Sequence, residues 1–196
     1  MRASLREDIL DVAVALFNER GYSNVSLRAI SGALGISVGN LNYHFQKKQD
    51  ILQAIMERNY ATVFSDVPVT TLCQFQALWE RMLDSLLLYA FYFRDPSLSR
   101  LHPKGPQDVD LLRRLVLQAL EQLQQAGLFS PELTPQRQEQ LVRVLMLSHL
   151  GWAQQPAPSP SHQAMAKEAF LSDHWAVLEP YLTPTGREEY RRTIQF

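Results

Sequence analysis

Apolar residues recur along this chain at helical spacing, with punctuation where helices should stop. Ile9, Val12, Ala13, Leu16 and Phe17 fall at i, i+3, i+4, i+7 and i+8, one stripe of a helix that Arg20-Gly21-Tyr22 closes. Leu27, Ile30 and Leu34, then Val38, Leu41 and Phe45, repeat the spacing in two short segments hinged at Gly35-Ile36-Ser37. Gly35 suits a helix end with positive φ, Ile36 can plug a small core under the turn, and Ser37 can cap the next helix through its hydroxyl. A fourth helix is predicted over 46–63, before the Val67-Pro68 break. A long one over 71–93 has Phe75, Leu78, Trp79, Met82, Leu83, Leu86, Leu87, Ala90 and Phe91 on a broad apolar face. After a loop around HPKGPQ, helices are predicted over 108–126, stopped by Gly127, and from Thr134-Pro135 to about 152. Beyond the proline-rich QQPAPSPSH lie a helix over 162–182, presenting Phe170, Leu171, Trp175 and Leu178, and a short tail helix over 185–193. The fold class is all-α, with an N-terminal three-helix domain over 3–63 and a C-terminal helical domain over 64–196.

The two short helices of 26–45 have the pattern of a helix-turn-helix that reads DNA. The second leaves Val38, Gly39, Asn40, Asn42, Tyr43 and His44 to solvent, a face rich in hydrogen-bonding groups on which Gly39 permits close backbone approach. A helical hairpin in an ordinary core would show the same apolar spacing; the flanking helices favour the DNA-reading alternative. Charge qualifies the picture. The chain carries a formal net charge of -1, and its first fifty residues hold six Lys/Arg against five acids. Affinity for a polyanion must therefore come from placement: Arg2 and Arg6 at the start, Ser26 and Arg28 opening the second helix, Ser37 opening the third, Lys47 and Lys48 opening the fourth. A moderate salt slope is expected.

The run LFNERGYSNVSLRAISGALGISVGNLNYHFQKKQDIL resembles the DNA-binding domain of the TetR family of one-component repressors. The shared features are an apolar helix ending in Phe, a Gly-aromatic pair, a Gly-Ile-Ser turn, Gly-x-Leu-x-x-His-Phe, and a lysine before an aliphatic helix. The resemblance implies that Val38 to His44 form the recognition helix, with Gly39, Asn40 and Tyr43 facing bases or phosphates and Lys48 meeting the DNA backbone. Two positions depart from the pattern: Asn42 stands where an aromatic is common, with Tyr43 taking the next place, and Ser26 replaces the usual Thr. A second segment, YAFYFRDPSL near 89–98, is similar to a stretch in a subset of these regulators, and no chemical role is assigned to it.

One such helix reads only a few base pairs, so a second copy is needed to specify a site. The resemblance implies a homodimer through the helices near 136–152 and 161–182, a four-helix bundle with the twofold copy, bound to an inverted repeat in double-stranded DNA. Leu141, Leu145, Leu150, Trp152, Phe170 and Trp175 supply apolar surface for that interface or for an internal core. Between the DNA-binding domain and those helices, Trp79, Met82, Leu83, Leu86, Tyr89, Phe93, Leu112, Leu115, Val116, Met146, His149 and Trp152 are candidates to line a pocket for an apolar effector, with plain core as the alternative. Arg81, Tyr89 and His149 are its candidate polar anchors. The expected function is a repressor released by such a ligand. The competing reading is a helical adaptor whose motif no longer binds DNA.

Enzyme chemistry finds little support. The single Cys73 permits no internal disulfide and is expected to be buried, and the five histidines show no zinc spacing. No phosphate loop or nucleophile elbow is present, and no cofactor is expected. LLLYAFYF is too short and too closely bounded by charge to cross a membrane. The start Met1-Arg2-Ala3-Ser4 has no secretory stretch, which places the protein in the cytoplasm.

Overall fold

Helix α1 (Leu5–Arg20) ends where Gly21 takes φ +79°, a conformation L side chains resist, and a 3-10 turn (Tyr22–Asn24) leads to α2 (Leu27–Leu34). These are followed by α3 (Val38–His44), α4 (Lys48–Val63), α5 (Leu72–Leu88), α6 (Ala90–Arg94), α7 (Gly105–Gln125), α8 (Pro135–Ala153), α9 (Gln163–Leu178), a second 3-10 turn (Glu179–Tyr181) and α10 (Pro184–Thr193). The computed structural model describes residues 4–63, 68–95, 98, 105–153 and 163–194. Arg2, the first half of HPKGPQ and the proline-rich QQPAPSPSH lie outside them. The architecture is all-α.

The chain forms two compact units, and the first is discontinuous: residues 1–62 together with 88–105. Its core is built by Ile9, Leu10, Ala13, Phe17, Ile30, Leu41, Phe45, Ile51 and Ile55, joined by Tyr89, Phe91 and Leu98 from the later segment. A boundary at residue 63 therefore leaves out part of the first unit's own core. The second unit, 63–87 and 106–196, has Phe75, Trp79, Phe129, Phe170 and Trp175 at its centre, with the Trp79, Phe129 and Trp175 rings meeting Phe75 edge-on. Its tail is pinned by Gly186: a Cβ there would run into the backbone carbonyl of Leu128, which already accepts the Thr183 N–H.

Several expectations are corrected. The long helix of 71–93 is broken at Tyr89, because Phe91 gives its N–H to the side chain of Asn18 instead of continuing the α5 ladder. Helix α7 begins at Gly105, earlier than 108, and α9 ends at Leu178, where the chain tightens into the 3-10 turn. Cys73 is exposed, since the stripe Leu72, Phe75, Leu78, Trp79 turns the next position away from the core. Leu141, Leu145, Phe170 and Trp175 are core residues, with Leu150 and Trp152 half-buried, so the largest apolar groups of α8 and α9 are spent internally. Of the candidate pocket residues, Trp79, Met82, Leu83, Leu86, Val116, Met146 and His149 are buried in the second unit, while Leu112 and Leu115 are half-buried. Tyr89 belongs to the core of the first unit, and Phe93 to the same segment.

Candidate nucleic-acid interface

Two serine caps and one left-handed glycine set the angle between α2 and α3. The Ser26 Oγ accepts the Ala29 N–H at 3.1 Å and the Ser37 Oγ accepts the Asn40 N–H at 3.1 Å, each satisfying a donor that the first helical turn leaves open. Each cap contributes about 1 kcal/mol. Gly35 sits at φ +67°, ψ +25°, and the Ile36 N–H returns to the Ser31 carbonyl, closing α2 while Ile36 packs on the core. Both hydroxyls are thus engaged as acceptors and keep their own protons for an outside partner.

With Leu41 and Phe45 anchored inside, α3 turns Val38, Gly39, Asn40, Asn42 and Tyr43 outward, and His44 is half-buried. Tyr43 is 86% exposed and meets the His44 ring edge-on, with centroids 5.2 Å apart. A tyrosine so exposed contributes little to the fold. Gly39 has no internal reason to be glycine: a Cβ there would meet only the Ser37 Oγ, at 3.9 Å. Glycine weakens a helix by roughly 1 kcal/mol relative to alanine, and here it leaves the backbone at the start of α3 bare. Arg28 and Lys47 are likewise exposed.

Lys48 is placed differently from the expectation. Its ammonium donates to the carbonyls of Tyr22 at 2.7 Å, Val25 at 2.8 Å and Ser23 at 3.4 Å, and lies 4.2 Å from the centroid of the Tyr22 ring. All three donors of the side chain are turned onto the protein's own loop. Burial lowers the Lys48 pKa, and burial followed by the charge of Asp50 raises that of the Tyr22 phenol. Lys48 therefore ties α4 to the turn before α2. Asp50 caps α4, accepting the Lys47 N–H at 2.8 Å and leaving the Lys47 side chain outside. Arg6 lies 5.1 Å from the centroid of the Phe45 ring and 3.6 Å from Glu7.

Two residues that sequence reasoning passed over hold the scaffold. Asn18 bridges both sides of the α5–α6 break: its Nδ2 donates to the Leu88 carbonyl at 2.8 Å, and its Oδ1 accepts the Phe91 N–H at 2.9 Å. Beside it the Phe17 and Phe91 rings pack with centroids 5.1 Å apart. Arg58 reaches Asp11 at 2.7 Å and Glu7 at 3.2 Å. Burial opposes its charge, but Asp11, Tyr89 and Glu7 outweigh burial and hold its pKa above the ordinary guanidinium value. The YAFYFRD segment, unassigned by sequence, is thus fastened to α1 and α4. Neither Asn18 nor Arg58 lies on an apolar stripe, and only spatial proximity between residues far apart in sequence reveals their partners.

A rigid turn between capped helices, the second offering an uncommitted polar face, defines a helix-turn-helix DNA-binding protein. Residues 9–55 match the sequence profile described as "Bacterial regulatory proteins, tetR family". Similar proteins include the HTH-type transcriptional regulator AcrR of Shigella flexneri, 38% identical over 58 residues; the aligned stretch takes in 30% of this chain and 27% of that regulator's length. Over whole chains, the fold is similar to a TetR-family transcriptional regulator from Marinobacter aquaeolei VT8, with a TM-score of 0.70, 27% identity and 95% of each chain covered. It is also similar to CprB from S. coelicolor A3(2), with a TM-score of 0.66, 20% identity and 96% and 93% covered. Residues 9–55 therefore carry a TetR-family DNA-binding domain, and the matching relatives are named as transcriptional regulators. Among the described residues, no helix is long and apolar enough to cross a membrane.

Proposed function

We propose that this regulator is a cytoplasmic repressor that binds an inverted-repeat operator as a homodimer and is released by a small, largely apolar ligand. The observation that carries the reading is the outer face of α3: Val38, Asn40, Asn42 and the 86%-exposed Tyr43 are turned to solvent, while Ser26, Ser37 and Gly35 fix the helix that bears them. Base edges are read by Asn40 and Asn42, whose amides both donate and accept, and phosphates by Tyr43, Arg28, Lys47 and the open backbone at Gly39.

Dimerisation is supported by what the helices following α7 leave uncovered. On α8, Val144 and Leu147 are 52% and 65% exposed, with Gly151 open one turn further on; on α9, Met165 is 66% exposed and Ala169, Ser172 and Ala176 follow it on the outside. Small residues at this spacing let a second pair of helices approach closely. Two recognition helices on a twofold axis then fit half-sites about 34 to 36 Å apart. Release requires that ligand favour a dimer of different spacing by a few kcal/mol.

Selection of bound duplexes from genomic DNA, run in parallel with Asn40→Ala/Tyr43→Ala, tests the reading. Enrichment of an inverted repeat by the unmodified chain alone is expected. A folded dimer that enriches no sequence at low salt would overturn it in favour of a helical adaptor.

A further inference from the structure

The second unit buries three polar side chains among aromatic rings. Trp79 on α5 and His174 on α9 are each 1% exposed and pack with centroids 4.5 Å apart; His149 on α8 is 3% exposed. Both imidazoles lie against Phe170, at 4.0 Å for His174 and 5.6 Å for His149. The His174 Nδ1 is 2.7 Å from the Phe170 carbonyl. A carbonyl can only accept, so Nδ1 carries the proton and Nε2 is a bare acceptor. That Nε2, the Trp79 indole N–H and the His149 Nδ1 are fully shut from solvent and make no hydrogen bond. Buried groups of this kind are nearly always satisfied in folded proteins, and three on adjoining rings call for an occupant.

The chemistry of the three atoms specifies it. Trp79 offers a donor, His174 an acceptor, and the surroundings are aromatic. We infer that this aromatic core is the ligand-recognition site of the regulator and takes an apolar molecule bearing one neutral hydroxyl, whose oxygen accepts from the Trp79 Nε1–H and whose proton goes to the His174 Nε2. His149 is the second polar neighbour of that hydroxyl. An anionic head group is disfavoured, because burial, and then the neighbouring His174, lowers the His149 pKa to about 3. Burial also lowers that of His174, against the opposing pull of the Phe170 carbonyl, Asp173 and the Leu145 carbonyl. Two neutral imidazoles offer a carboxylate no counter-charge in a dry core. The inference rests on the ligand-released reading above and gives its ligand a chemical class.

Isothermal titration of the full chain with 2-naphthol, 2-methoxynaphthalene and 2-naphthoate at neutral pH tests it, with p-cresol, 4-methylanisole and 4-methylbenzoate as a smaller set. In at least one set the hydroxyl compound binds about tenfold more tightly than its methyl ether, which cannot donate to His174, and more tightly still than the carboxylate. His174→Asn, which keeps a donor near the Phe170 carbonyl and deletes Nε2, abolishes the preference for hydroxyl over ether. Trp79→Phe weakens hydroxyl and ether alike. Equal binding of hydroxyl and ether, tighter binding of the carboxylate, or no binding in either set overturns the proposal, and so does a preference that survives in folded His174→Asn. Should that variant not fold, the ranking on the unmodified chain decides. An inverted repeat enriched by a chain that shows no such ranking leaves the DNA-binding reading standing without this site. The expected ranking in a chain that enriches no duplex leaves the site and removes the repressor.

Discussion

The helix-turn-helix and the aromatic core of the second unit treat their polar groups in opposite ways. Around the helix-turn-helix, polar groups are matched at short range: Ser26 and Ser37 to helix N–H groups, Asp50 to Lys47, Asn18 to two backbone groups, and Lys48 to three carbonyls. In the second unit Trp79, His149 and His174 keep polar atoms in the core without partners. Matching fixes a surface that must meet DNA in one geometry, whereas unmatched groups leave the other core biased toward whatever satisfies them.

Acid should separate the units most. The pKa of His149 is about 3 in the fold against about 6.5 when exposed, so below about pH 6.5 the unfolded chain takes up a proton that the folded chain refuses. Stability is full above that pH and falls as the pH drops toward 3, by about 4 kcal/mol from this residue. Thermal unfolding across that range should show the loss, and His149→Phe should flatten it; a midpoint unchanged by acid would break the contrast.

Next in size is Gly186→Ala in the second unit. The new Cβ meets the Leu128 carbonyl, and denaturant unfolding should show a loss of about 2 kcal/mol. In the first unit, Lys48→Gln should cost about 1 kcal/mol, discounted for its partial exposure, because three carbonyls lose a charged donor. Arg28→Ala is the counterpart with the smallest effect on folding, under about 0.5 kcal/mol. It should lower operator affinity and reduce the salt slope by about one. If Lys48→Gln instead left stability unchanged and cut the salt slope, Lys48 would be a phosphate ligand after all.

The parts legible in the sequence are those set by local rules. Apolar spacing located α1 to α4, and Gly35 and Ser37 announced the turn because αL glycine and serine capping act within four residues. The break at Tyr89 was illegible: no Pro or Gly marks it, and its cause is Asn18, some seventy residues away in sequence. Lys48 misled for a related reason. A lysine opening a helix looks the same in sequence whether its ammonium faces solvent or the carbonyls of Tyr22 and Val25. On α8 and α9, size was a poor guide to the outer surface, because Phe170 and Trp175 fill the core and leave Val144, Leu147 and Ala176 outside.

The discontinuity of the first unit has a consequence for the order in which the protein is made. Phe17 waits for Phe91, and the core that holds the recognition helix is complete only when Leu98 has joined it. Synthesis runs from the N-terminus, so the whole of α5 emerges before the DNA-reading unit can close. A nascent chain halted after α4 would display the full motif and still lack the segment that seals its core. The regulator cannot finish its reading head without first having made a helix of its second unit.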